Sequence, residues 1–383
     1  MENQQTVIID DTTLRDGEQS AGVAFSLDEK ILIASHLDGL GIQELEVGIP
    51  AMGREEQESI RAITDLDLNA KLMVWSRMHA RDIQLCRGIP VDMIDLSIPV
   101  SDQQIYRKIG QQRSWVIQQI KNLVPKAVDM GLGVCVGGED ASRADKDFLR
   151  VVVETAQEAG ARRFRFADTV GIMEPFGVYE TIKQLYADTD LELEMHAHDD
   201  LGMATANTLA AARAGASHVN TTVHGLGERA GNAPLEEVVV ALKHHYGIET
   251  SVELSNYSAV SRLVSEASGR PVAWSKSLVG EGVFTHEAGI HVDGMLKDVS
   301  NYQGVDPSIV GRKHTLILGK HSGSSAVIQA YAEAGIALTQ SQADRLLGFI
   351  RNYVTEHKKQ LDSRELEFIY LRMFRESHRC QVH

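Results

Sequence analysis

The chain has 383 residues, 43% hydrophobic and 24% charged, with 38 basic against 53 acidic side chains and a formal charge of −15. That length suits a globular protein with one large domain and an appendage, and the acidic balance excludes nucleic acid and anionic lipid as general partners. No apolar run approaches the ~20 residues of a membrane span, and the start MENQQTVIID has neither the basic nor the apolar region of a secretion signal.

Three cysteines, Cys86, Cys135 and Cys380, are widely spaced and odd in number. They fit a reducing compartment better than a disulfide framework, so a cytoplasmic protein is expected and any metal must be held by His and carboxylates. In chain order, apolar runs of strand length fall at 6–10, 44–47, 72–75, 93–97, 133–136, 164–167, 193–198 and 219–223. Helical periods lie between them at 28–40, 54–63, 145–158, 176–185, 203–213 and 235–245. Several end in a Gly suited to a helix C-cap, as in QEAGARRFRF and RAGASHVNTT. About eight strand-then-helix units in roughly 250 residues predict a TIM barrel. A doubly wound open sheet shares the alternation and is the competing fold. Residues 1–265 are read as the barrel, 266–325 as a Gly-rich irregular subdomain, and 326–383 as a helical C-terminal region.

In a TIM barrel the chemistry sits where strands end and loops begin. Those positions carry Arg15, Asp16 and Gln19 after the first strand, Arg77 and His79 after the third, and Glu139 with Asp140 after the fifth. Thr169 follows the sixth, Glu194, His196 and His198 lie on the seventh, and Glu228, Arg229 and Asn232 follow the eighth. In ELEMHAHDD, alternation turns Glu194, His196 and His198 to one side. The two imidazoles are either ligands of one metal or hydrogen-bonded barrel histidines. Asp16 would complete a two-His, one-carboxylate face with open positions, suited to Mg²⁺, Mn²⁺, Fe²⁺ or Zn²⁺ and to a chelating 2-oxo acid. Asn232 would orient a metal-bound water or add an oxygen ligand. Arg15 is either the cation for a developing oxyanion or the partner in a structural Asp–Arg pair.

Two strings are set aside. HEAGIH spaces its histidines five apart, with Gly289 between them, which does not place both on one helical face. GLGERAG lacks the acidic residue expected ~20 positions later for dinucleotide binding and is read as a tight turn at the barrel mouth.

Taken together, DTTLRDGEQSAG, EDASR, FADTVG, HAHDDLGMATAN, GLGERAGNA and FTHEAGIHVDG resemble the metal-dependent TIM-barrel acyltransferases that include isopropylmalate, citramalate and homocitrate synthases, the nitrogen-fixation homocitrate synthases among them. The resemblance spans nearly the whole chain. It implies Claisen condensation of acetyl-CoA with 2-oxoglutarate and water, giving homocitrate for the nitrogenase iron-molybdenum cofactor, and CoA. By motif position it implies Asp16, His196 and His198 as ligands of a divalent metal (Mg²⁺, Mn²⁺ or Zn²⁺) and Asn232 as an accessory ligand. Arg15 and Gln19 would contact the keto acid, and Thr169 its carboxylate. His291, and Tyr302 eleven residues later, would come from the other subunit of a homodimer with shared active sites. His291 is then the expected base for the acetyl methyl proton, with Glu139 or Glu194 relaying it, unless Glu139 only pins Arg15 in an ion pair.

Related lysine-pathway enzymes use an Arg and a Ser on the fifth strand for the distal carboxylate, where this chain has Cys135 and Gly137. Arg165, on the same side of the sixth strand as Thr169, is expected either to replace the missing cation, assisted by His79, or to be a structural charge with an acidic neighbour. Isopropylmalate synthases commonly carry a further leucine-binding domain, for which no room follows the helical region, so no leucine inhibition is expected. The competing readings are the same condensation on 2-oxoisovalerate or pyruvate, a carbon–carbon lyase, and a metal-holding scaffold without catalysis.

Overall fold

The computed structural model describes residues 6–375, so Cys380 lies outside the described residues. The chain divides into two compact units, Met1–Val272 and Ala273–His383. In the first, β1 (Ile8–Asp11), β2 (Glu44–Glu46), β3 (Lys71–Arg77), β4 (Met93–Pro99), β5 (Gly133–Glu139), β6 (Arg163–Asp168), β7 (Glu192–Ala197) and β8 (His218–Thr221) pair in chain order. β8 then pairs in parallel with β1, which closes the sheet into the expected TIM barrel and excludes the open one.

Local signals place the helices. Ser26 and Glu29 form a capping box for Leu27–Gly39, Asp145 caps Lys146–Glu158, and Ala204–Ala214 stops where Gly215 turns left-handed at φ 119°. Four helices of the first unit not anticipated from periodicity are Ala80–Leu85, Asp102–Arg107, Arg113–Val128 and Tyr257–Ser268. The first two have only six residues each, and the third contains Pro125, normally a stop signal. Pro125 stands in the last turn, and the helix runs on to Val128 with Val116, Ile120, Leu123 and Val124 buried.

Strand alternation sends apolar side chains outward and, here, charges inward. In β6, Phe164 and Phe166 are buried on one side while Arg163 and Arg165 enter the barrel. Arg163 Nη1 donates to Glu44 (2.7 Å) and Glu194 (2.9 Å). Arg165 donates through Nε to Glu194 (2.7 Å), through Nη1 to Glu46 and Asp95 (both 2.9 Å), and through Nη2 to Asp10 (3.0 Å), with Met73 Sδ 3.9 Å away. Those contacts occupy all five guanidinium N–H groups.

Two expectations are corrected by this arrangement. Arg165 has no donor left for a substrate carboxylate; it is the hub of the barrel interior. Glu194 is not a proton relay. Burial alone would raise its carboxyl, but Arg165 and Arg163 outweigh burial and hold it at about 2, ionised and fully engaged. Cys135 is also in the interior, buried with Met73 and Met93, where burial pushes the thiol up.

The second unit has a short parallel pair, β9 (Thr285–His286) with β10 (Thr315–Leu316), and helices Gly289–Lys297, Ser324–Glu333, Gln340–His357 and Ser363–Tyr370. One apolar core includes Val292 and Leu318 together with Val327, Tyr331, Leu346 and Ile350, so residues on both sides of 325 share it. Among the described residues no helix is long and apolar enough to cross a membrane.

Replacing Arg165 by Met leaves four buried carboxylates facing one another and should cost about 3–5 kcal/mol of stability in urea unfolding. Burial, with Glu46 and Glu194 nearby, raises the Asp95 carboxyl from 3.8 to about 6 despite Arg165. A carboxyl raised in the folded state contributes stability that is full below about pH 4 and lost as pH rises through about 6. Asp95→Asn keeps an acceptor for Arg165 but cannot ionise. Its urea midpoint should therefore fall less between pH 4 and 7 than the parent's, and parallel curves would contradict this.

Candidate metal centre at the barrel mouth

The turn after β1 is built by its own polar side chains. Asp11 Oδ1 accepts from Thr13 N (2.9 Å), while Thr12 O accepts from Arg15 N and Gly17 N. Thr12 Oγ1 donates to Glu46 (2.7 Å) and accepts from Asp16 N (3.2 Å). Thr13 Oγ1 accepts from Val223 N (2.9 Å), tying the turn to the segment after β8. Asp10, Asp11 and Glu18 have structural tasks here: Asp10 accepts from Arg165, Asp11 from Thr13 N, and Glu18 accepts from Phe25 N and pairs with Lys30.

This turn presents Asp16 to the end of β7. Asp16 Oδ2 lies 3.4 Å from His196 Nε2, which is 3.1 Å from His198 Nε2, and all three side chains are buried. Burial would raise Asp16, but Arg15 Nη1 at 2.7 Å, then His196 and His198, hold it well below the usual carboxylate range. Burial and His196 push His198 down to about 4, so it is neutral at ordinary pH.

Asn220 on β8 sets the tautomer of His196. Its Nδ2 donates to Asp10 O, Asp10 Oδ2 and Glu194 Oε1, which turns Oδ1 toward His196 Nδ1 at 2.5 Å. His196 therefore carries its proton on Nδ1 and offers a bare Nε2 to the group. His198 Nδ1 and Asn232 Oδ1 are buried without a partner among the described residues. A bare imidazole nitrogen, a second one beside it, an ionised carboxylate and an unpartnered amide oxygen make a donor set that fits a divalent cation.

Asn232 is delivered by the GLGERAG turn. Its backbone bridges His198, its Nδ2 donates to Asp16 Oδ1 (3.3 Å) and Leu226 O (3.1 Å), and a Cβ on Gly227 would overlap that nitrogen. Arg229, in the same turn, binds Asp200 through two contacts (2.8 and 2.9 Å) and Thr169 O (2.7 Å), fastening the loops after β6, β7 and β8.

The cavity over the group, about 210 Å³, is lined by Arg15, Gln19, Thr169 and Glu139 as well as the histidines. Arg15 gives Nε to Glu46 (2.5 Å) and Nη1 to Asp16, with Gln19 Oε1 at 3.4 Å; Nη2 has no protein partner among the described residues. Glu139 does not pin Arg15: its carboxylate pairs with Lys108. Thr169 Oγ1 accepts from Asp140 N (2.8 Å). His79 lies outside this cavity, exposed at the start of Ala80–Leu85, and lines a neighbouring one. His291 and Tyr302 belong to the second unit, where their ring centroids lie 4.3 Å apart with the planes tilted by 33°; a Cβ on Gly294 would strike Tyr302 Cε2 at 2.6 Å.

Glu46 and Asn220 were missed in the sequence. Both are polar residues at inward positions of short strands, in QELEVG and SHVNTT, and that alternation was the available signal.

Residues 6–264 match the HMGL-like family, and residues 278–358 match the family described as homocitrate synthase post-HMGL domain-like. A 2-isopropylmalate synthase 2 of Caldanaerobacter subterraneus subsp. tengcongensis is 47% identical over 364 residues, covering 95% of each chain. Homocitrate synthase 1 of Nostoc sp. is also 47% identical, over 360 residues, covering 94% of this chain and 96% of the relative. Among solved structures, the hydroxymethylglutaryl-CoA lyase of Pseudomonas aeruginosa superposes with a TM-score of 0.63 at 19% identity, covering 70% of this chain and 95% of that one, a likeness of fold alone.

If the three side chains hold a metal, calorimetric titration with Mn²⁺ should show a site that His198→Ala abolishes. Asn220→Ala, which frees the His196 tautomer, should weaken it about 10–100-fold. Equal affinity in the parent and Asn220→Ala would refute the tautomer role.

Proposed function

The chain belongs to the HMGL-like family, and from that membership we propose that it is a metal-dependent condensing acyltransferase that joins an acetyl-CoA methyl carbon to the keto carbon of a 2-oxo acid. The acceptor proposed is 2-oxoglutarate, giving homocitrate and CoA, with homocitrate going to the nitrogenase iron-molybdenum cofactor. The observation that carries this reading is Arg15, buried beside Asp16 with Nη2 free at the cavity over the two histidines.

A divalent cation on Asp16, His196 and His198, with Asn232 Oδ1 as a further oxygen donor, would supply Lewis-acid polarisation of the keto group. Arg15 Nη2 meets the oxyanion that develops as the new carbon–carbon bond forms, and Glu46 and Asp16 prevent it from swinging away. Gln19 and the Thr169 hydroxyl offer polar contacts to the acid. The methyl proton needs a base, the role proposed for His291, whose ring lies against that of Tyr302. The proposal places that pair over the barrel of the other subunit of a homodimer. Glu139, ionically tied to Lys108, is the carboxylate left to accept or relay a proton. Water then cleaves the thioester, releases CoA and drives the sequence forward.

Equal identity to an isopropylmalate synthase makes the acceptor the discriminating measurement. Purified protein should release CoA from acetyl-CoA fastest with 2-oxoglutarate, more slowly with 2-oxoisovalerate or pyruvate, and not at all with chelator until a divalent metal is restored. Fastest release with 2-oxoisovalerate would move the assignment to isopropylmalate synthesis, and release with no acid would leave the scaffold reading. Arg15→Lys should lower kcat about 10²–10³-fold.

A further inference from the structure

Beside the metal cavity lies a second one of about 620 Å³, and the two share Trp75, Ser97 and Glu139 as a common wall. Met78, Ile98, Ile109 and Trp115 give it an apolar lining. Its polar side carries Arg77, Arg81 and Lys108, with His79, against Asp82 and Glu139. In a chain of formal charge −15 this is a local excess of cation, which suits an anionic group carried on an apolar stem.

The basic groups are not equivalent. Arg77 is already held by Asp82 through two bonds, at 2.7 and 3.1 Å. Arg81, on the helix after β3, and Lys108 are both exposed, but Lys108 also bonds to a residue of the common wall. Lys108 touches the common wall: its Nζ donates to Glu139 and lies 3.4 Å from Gln104 Oε1. An ammonium has three N–H groups, so one remains for a ligand. From the barrel on this side Ser97 and Trp75 bring only neutral donors to the common wall. Arg165 is fully engaged, Cys135 is in the apolar floor, and the space a side chain at Gly137 would need is filled by Asp95, whose Oδ1 stands 2.5 Å from a Cβ built there.

We infer that the second cavity receives the far end of the 2-oxo acid, and that Lys108 selects an acid ending in a carboxylate. The inference rests on the condensing reading and names the residue that would set its acceptor. In 2-oxoglutarate a two-methylene spacer separates the keto carbon from the second carboxylate. The spacer would cross the Trp75 and Ser97 wall, and the carboxylate would form a charge-assisted hydrogen bond to Nζ. A branched apolar acid offers Lys108 nothing, and its third N–H, on a half-exposed side chain, stays with water. The phosphates of coenzyme A are the other anions available, but the pantetheine arm carries them far from the thioester, whereas Lys108 is bonded to a residue lining the metal cavity.

The test compares the parent, Lys108→Met and Lys108→Arg by steady-state kinetics with 2-oxoglutarate, 2-oxoisovalerate and acetyl-CoA varied in turn. Lys108→Met should lower the ratio of kcat/KM for 2-oxoglutarate to that for 2-oxoisovalerate at least tenfold, chiefly through KM for 2-oxoglutarate, and Lys108→Arg should keep most of the preference. An unchanged ratio, with both acids losing alike, would overturn the inference and make Lys108 a positioning partner of Glu139. So would a rise confined to KM for acetyl-CoA, which would place CoA phosphates in the cavity. A parent that releases CoA with neither acid would defeat the condensing reading itself, and the parent alone reports that outcome.

Discussion

Arg165 is the constraint from which the rest of the barrel follows. A guanidinium in the middle of a protein must have every N–H matched, because an unpaired buried charge costs far more than folding can spare. Its partners are Asp10 on β1, Glu46 on β2, Asp95 on β4 and Glu194 on β7, so one side chain ties together strands around much of the circumference. From there the charges alternate upward. Glu46 also accepts from Arg15, Arg15 donates to Asp16, and Asp16 faces His196. The same series runs downward through Glu194 to Arg163 and Glu44. The Asp16, His196 and His198 group is thus the top of a continuous buried ladder, held from below by Glu46, Arg165 and Glu194 through Arg15 and Asn220.

The ladder also decides which carboxylates ionise. Those gripped by arginine, Glu194, Glu46 and Asp16, are held low. Asp10 and Asp95 share Arg165 with stronger competitors, each has one oxygen without a partner, and burial raises both. Asp10 and Asp95 are thus the ladder carboxyls that ionise less readily than a free carboxylate. Asp16 stays anionic, as a metal ligand must.

Much of this was legible in the sequence, for reasons that were local. Strand-length apolar runs alternating with capped helices specify a barrel rhythm, and the spacing of His196 and His198 puts both on one side of β7. Asp16 became a partner only on the assumption that β8 closes onto β1, which the pairing of Ile8–Asp11 with His218–Thr221 bears out. The role of Arg165 stays open in the sequence because its partners lie 155, 119 and 70 residues away, at Asp10, Glu46 and Asp95. An Arg at an inward strand position looks the same whether it meets a ligand or four carboxylates. Only the register of β6 against its neighbours distinguishes the two. Even so, the strings Glu44-Leu45-Glu46, Arg163-Phe164-Arg165 and Glu192-Leu193-Glu194 carry opposite charges at the same two-residue period, a cross-barrel complementarity written into the chain itself.

This division of labour explains how one barrel can serve several acceptors. The β1, β6, β7 and β8 side is closed by ion pairs, by the Asn220 contact to His196 and by the Arg229 clamp across three loops, so substitutions there disturb the metal group directly. The side formed by β3, β4 and β5 is different in kind. It is a larger, partly apolar space whose cations come from the segments following β3 and β4, attached to the metal cavity through Trp75, Ser97 and Glu139 alone. Apart from Trp75, whose ring centroid lies 5.8 Å from the Arg15 guanidinium carbon, the residues lining that space are not partners of the ladder's arginines. On the proposed condensing reading, chemistry common to the family belongs on the first side and the choice of acid on the second.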